Sequence, residues 1–142
     1  MSDDSGARLD DDHFRLLLQA ARSQPEPQRL LFVFAAARLP ERASAEQQAR
    51  FEVGGGGELD PVMCVDKAPD SLRDFPALVA ESRQAGPGWQ VVFVAGLSGR
   101  GRVAPSADQI ERSLNDMVEA VRRGNIGGYA AYDARGEPLG FY

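Results

Sequence analysis

Arg29–Leu39 reads RLLFVFAAARL. Leu30, Leu31, Phe32, Val33 and Phe34 follow one another with no polar residue between them. Side chains of a strand alternate between its two faces, so this run is apolar on both. It predicts a central strand over 29–37, covered by a layer on each side. Pro40 closes it, because proline cannot donate to a sheet ladder. PVMCVDK at 61–67 and WQVVFVAGL at 89–97 share the character of the first run. They predict two more buried strands, with Cys64 inside the first as a small apolar residue.

Helical spacing lies between and beyond these runs. From Asp12, DHFRLLLQAARSQ puts Phe14, Leu17, Leu18 and Ala21 on one face, and QPEP ends it. SAEQQARFE opens with Ser44 and Gln47 at capping-box spacing and predicts a short helix, followed by a loop at Gly54–Gly57. APDSLRDFPALVAESRQAG reads as a turn at 70–73 and then a helix capped by Asp74, with Pro76 in its first turn and Gly86-Pro87-Gly88 at its end. Ser106 and Gln109 form a second capping box. Behind it Ile110, Leu114, Met117, Val118 and Val121 make the most amphipathic helix of the chain, with Gly124 as its stop. The last residues, GGYAAYDARGEPLGFY, read as a strand, a turn at Ala134-Arg135-Gly136 and a weak edge strand.

Strands alternating with helices predict an α/β fold. The expectation is a single domain with about five strands in a mixed, mostly parallel sheet, covering helices and a C-terminal β-hairpin at one edge. Residues 1–12 are expected to form an acidic, disordered leader, and 13–142 the domain. The leader holds five aspartates against Arg8, so it carries −4 of the net charge of −5, and the rest sums to −1. That balance supplies no basic field for nucleic acid. No stretch has the roughly 18 apolar residues of a membrane span, and no membrane partner is expected. Cys64 is the only cysteine, which precludes an internal disulfide and points to a reducing cytoplasm.

The chemistry-bearing candidates cluster at one place. GLSGRGR, between the third strand and the second capping box, offers Gly96, Gly99 and Gly101 for close backbone approach and Arg100 and Arg102 for charge. It matches neither the P-loop nor the dinucleotide fingerprint, and its ordinary alternative is a surface loop. If the strands run parallel, Asp66 and Lys67, the only lysine, emerge on the same rim. The candidate ligand site is therefore Asp66, Lys67, Ser98, Gly99, Arg100, Gly101 and Arg102, against the alternative of a solvated strand end with a local charge pair. His13 reads as an exposed residue of a helix start, without the orienting partner that a general base needs. One cysteine and one histidine cannot make the usual zinc set, and no cofactor is predicted. Glu111, Asp116 and Glu119 read as the solvent face of the last helix. Tyr129, Tyr132, Phe141 and Tyr142 read as cross-strand packing in the hairpin, or as an aromatic edge that pairs with a second chain.

Taken together, QPEPQRLLFVFA (24–35), PVMCVDKAPD (61–70) and VVFVAGLSGRGR (91–102) resemble a family of small bacterial proteins of about this length. Its members often carry the label "ribonucleotide reductase subunit alpha". The resemblance implies no catalytic or binding residues. The chemistry of that reductase needs a radical cysteine and a reducing cysteine pair, and a single cysteine cannot supply three thiols. The label therefore does not describe an activity of this chain by itself. Three functions stay open. The first is a non-enzymatic regulatory or accessory module that binds an anionic phosphate or carboxylate ligand. The second is a small enzyme on a phosphorylated or carboxylated metabolite, with Lys67 and Arg100 holding the anion and Asp66 as acid/base. The third is a protein-interaction or homodimerisation module using the hairpin edge.

Overall fold

The computed structural model describes residues 5–38 and 58–140, with side chains from His13 onward. The order is α1 (Ser5–Arg22), β1 (Gln28–Arg38), β2 (Glu58–Lys67), a 3-10 turn (Pro69–Ser71), α2 (Phe75–Ala85), β3 (Val91–Ser98), α3 (Ala107–Arg123) and β4 (Ala130–Tyr132). The expected short helix over 44–52, the glycine loop at 54–57, and Phe141 and Tyr142 lie outside the described residues.

The strands form one four-stranded sheet in the order β2-β1-β3-β4, and each neighbouring pair is antiparallel. This corrects the expectation of a mostly parallel, five-stranded sheet. The crossover logic holds only for β2 and β3, which share a direction and are joined through α2. Instead of pairing, they flank β1, which runs the other way between them. Apolar residues on both faces of a strand report burial from two sides, not direction. Here helices lie on both sides of an antiparallel sheet. The expected fifth strand shrinks to a Tyr132–Pro138 bridge after a turn in which the Gly136 N–H donates to the Asp133 carbonyl at 3.0 Å.

Strand alternation sorts the core into two clusters. Leu30, Phe32 and Phe34 of β1, Val92 and Val94 of β3, and Tyr132 of β4 meet Phe14 and Leu18 of α1 and Phe75 and Leu78 of α2. Leu31, Val33 and Ala35, with Val91 and Phe93, meet Met117 and Val121 of α3. Phe32, Val33, Val92 and Phe93 are fully buried. The helix ends follow their sequence signals. The Ala77 N–H donates to the Asp74 carboxylate at 2.9 Å with Pro76 in the first turn of α2, Ser106 and Gln109 form the reciprocal box of α3, and Gly124 ends α3 at φ 78°. α1 begins at Ser5, so His13 lies in its middle and not in its first turn.

β2 departs from its expected character. It is an edge strand among the described residues, and Cys64 is exposed. Its pairing with β1 shifts between Phe34 and Ala35, which leaves Val62 without a partner as a bulge. Pro61, beside that bulge, is tolerated for the same reason that the strand is an edge: its missing N–H breaks no central ladder.

Candidate functional site

The antiparallel register brings the ends of β2 and β3 to one rim with the start of β1 between them. Leu30 pairs with both Lys67 and Gly96, and Gln28 pairs with Ser98. So the candidate residues do share a rim, but they do not converge there. Asp66 pairs with Leu31 and faces α3; Lys67, one position on, pairs with Leu30 and faces α2. The Lys67 ammonium contacts Glu81 of α2 at 2.5 Å. Asp66 instead accepts from the Arg29 Nε at 2.7 Å on the other face. A sheet thickness separates Asp66 from Lys67, which were expected together on one rim.

The glycine-arginine loop turns a tight corner. The Gly99 N–H donates to the Pro27 carbonyl at 2.8 Å. Arg100 and Val103 exchange backbone hydrogen bonds of 2.9 and 2.8 Å around Gly101, whose φ of 56° suits the first central position of a two-residue turn. A Cβ on Gly99 would stand 2.0 Å from the Val103 carbonyl oxygen, so this glycine is required for the close approach of its own chain. The Ser98 hydroxyl meets the Gln28 side-chain amide at 2.7 Å. Arg100 and Arg102 are exposed on the turn.

Asp66 belongs to a different constellation. On its face of the sheet, Arg29, Cys64 and Asp66 lie beneath the first half of α3, whose Ala107, Ile110, Glu111, Leu114 and Asn115 form the opposite wall of a cavity of about 430 Å³. Its geometry follows from helix periodicity. Ile110, Leu114, Met117 and Val121 point α3 into the sheet, while Ala107, Glu111 and Asn115, four apart, flank that stripe. The Arg29–Asp66 pair is about one-third exposed. Asp66 takes the guanidinium through Nε, and the two Nη groups have no protein partner among the described residues. Glu111 has no hydrogen bond or ion pair among the described residues.

One of these residues carried a readable signal. Arg29 is a cation placed directly before an apolar central strand, so its head must lie at a rim. Pro61 marks β2 as an edge once the strand is seen to begin at Glu58, which opens Cys64 and Asp66 to a neighbouring groove. Glu111 had no signal separating it from solvent-facing carboxylates.

The remaining titratable candidates lie elsewhere. His13 Nδ1 and the Tyr132 hydroxyl share a hydrogen bond of 2.6 Å, and burial pushes the Tyr132 phenol up to about 12. This contact is on the face covered by α1 and α2, whereas Cys64 lies on the face covered by α3. The only histidine and the only cysteine are therefore on opposite sides of the sheet. Among the described residues, no three His, Cys, Asp or Glu side chains are grouped to hold a metal ion, and no helix is long and apolar enough to cross a membrane. Comparison of the chain with protein-family models, with curated proteins and with solved structures finds no match.

Proposed function

We propose that this chain is a non-enzymatic binding module whose ligand presents an oxyanion to Arg29 in the groove between α3 and β2. The observation that carries the reading is the state of that guanidinium: Nε is held by Asp66 at 2.7 Å, and both Nη groups are without a partner among the described residues, beside an open groove of about 430 Å³. A carboxylate that orients an arginine through Nε presents the planar Nη fork to a second, exogenous carboxylate or phosphate. The groove is open to solvent and wide enough to admit a small molecule. Asp66 is the one member of the sequence-derived rim that enters this site. Ser98, Gly99, Arg100, Gly101 and Arg102 serve the turn beside it, and Lys67 serves α2.

Binding is favoured over catalysis because Cys64, the one thiol at the groove, stands a sheet thickness from the only imidazole. Cys64 therefore lacks the imidazole of a Cys–His pair, and Asp66, a carboxylate of the same groove, is engaged by Arg29. The hairpin edge supports a partner less well. The Leu139 N–H donates to the Ala131 carbonyl at 2.8 Å on the outer side of β4, and Tyr132 is buried. An exposed thiol without a disulfide partner suits a reducing compartment, which supports a cytoplasmic reading.

The test is calorimetric titration, with thermal shift, against phosphate, acetate and longer carboxylates for the natural chain and for Arg29→Ala. At a hundred times its dissociation constant a ligand adds about 2.7 kcal/mol, a midpoint shift of a few degrees for a chain of this size. The expected result is an oxyanion that binds the natural chain and loses at least tenfold in affinity in Arg29→Ala. No binding across the panel, or binding indifferent to Arg29, overturns the reading.

A further inference from the structure

We infer that the occupant of this groove is a zwitterion, an α-amino acid with an apolar side chain; the inference rests on the reading that Arg29 holds an oxyanion. The argument is one of charge complementarity. Arg29 and Asp66 compensate each other, so the uncompensated charge on the cavity wall is the carboxylate of Glu111. A phosphate or other compact dianion would bring negative charge toward that carboxylate with no second cation to offset it. Among the residues that line the groove, Arg29 is the only cation. A purely apolar occupant would cover the Nη fork and Glu111 and leave both without water or partner, which is costly for charged groups.

A molecule with a carboxylate and an ammonium on one carbon meets both demands. The carboxylate takes the Nη fork, and the ammonium takes Glu111. The apolar part of the lining is Ile110 and Leu114 from α3 with Cys64 from β2, against which an apolar side chain would pack. Asn115, one turn beyond Glu111, supplies an amide that donates and accepts. The charged ends of the ligand are thus matched by the Nη groups of Arg29 and the carboxylate of Glu111, which have no partner among the described residues.

Three probes separate this inference from the reading beneath it: leucine, its deaminated counterpart 4-methylpentanoate, and leucinamide, which keeps the ammonium and lacks the carboxylate. Each is titrated into the natural chain, Glu111→Gln and Arg29→Lys. Glu111 is exposed, so its substitution leaves the fold intact. The expected result is that leucine binds at least tenfold more tightly than either analogue. Glu111→Gln then reduces leucine to the affinity of 4-methylpentanoate without weakening 4-methylpentanoate itself. If 4-methylpentanoate binds as tightly as leucine, or Glu111→Gln leaves leucine unchanged, the zwitterion is overturned and the oxyanion reading stands. Binding of phosphate alone has the same meaning. No binding by leucine, 4-methylpentanoate or phosphate overturns both.

Discussion

The two faces of the sheet share the same strands and differ in what covers them. One face carries α1 and α2 and is packed with rings: Phe14 meets Phe75 at 5.2 Å and Tyr132 at 5.6 Å, both edge-on, and Phe34 meets Trp89 at 5.0 Å. The other carries α3 alone and is mainly aliphatic. A helix about 10 Å across covers about two strands spaced about 4.8 Å apart. Two helices therefore close a four-stranded face, and one does not. Ile126, Tyr129 and Leu139 close the β3–β4 side of the α3 face. At the β1–β2 side, Cys64, Asp66 and Arg29 stay within reach of solvent beside Glu111. α3 lies over β1 and β2, and the groove is the opening between its first half and these two strands.

This contrast predicts where the molecule is fragile. Phe32, on the two-helix face, is fully buried between rings of β1 and α1. Phe32→Ala should cost about 3–5 kcal/mol, because a cavity there cannot collapse against a neighbouring ring. Urea unfolding gives the number, and a loss below about 1 kcal/mol would break the picture of a sealed aromatic face. The groove variants Arg29→Ala and Glu111→Gln should lose far less: the Arg29–Asp66 pair is about one-third exposed and contributes at most about 1 kcal/mol, and Glu111 has no ion pair among the described residues.

The next effect is alkaline. Tyr132 is fully buried, and its phenol is raised from 10.0 to about 12 by burial. In the unfolded chain the phenol titrates near its ordinary value, so between these values the folded chain binds more protons. Its contribution is complete below pH 10 and is lost as the pH rises to 12. The shift corresponds to about 2–3 kcal/mol. Unfolding free energies at pH 9 and 11.5 should diverge by more in the natural chain than in Tyr132→Phe, which keeps the ring packing and removes the titration. Equal slopes would mean that the phenol is solvated and that this face is less tightly closed than its rings imply.

How much of this was legible in the residues depends on whether the signal was local. The Asp74 cap, the Ser106–Gln109 box and the Gly124 stop are each set by a few neighbouring residues, and each lies where the sequence placed it. The fully buried run Leu30–Ala35 was legible as a central strand for the same reason. Direction and order were not, because they depend on which strand lies between two others. The crossover from β2 to β3 reads identically in sequence whether they are neighbours or enclose β1. The error reached the site directly. Lys67 and Arg100 were placed side by side on the premise that β2 and β3 pair, and β1 stands between them. Pro61 reads as the permitted first residue of a strand, and it marks an edge only once the strand is seen to begin at Glu58.

Asp66 and Lys67 give the comparison its finest form, because adjacent residues serve different faces. Lys67 lies over α2 with its side chain only 20% exposed, and its partner Glu81 is 57% exposed. The stem of the lysine is packed while the ion pair stays at the surface. Lys67→Met keeps the stem and deletes the charge, so it should cost less than about 1 kcal/mol in urea unfolding. Across the sheet it should leave every affinity measured at the Arg29 groove unchanged. A sheet transmits little from one face to the other when the central strand between them, Leu30–Ala35, is packed on both sides. A Lys67→Met variant that lost ligand affinity as strongly as Arg29→Ala would show that the two faces are coupled, and would return Lys67 to the site from which the alternation of β2 removes it.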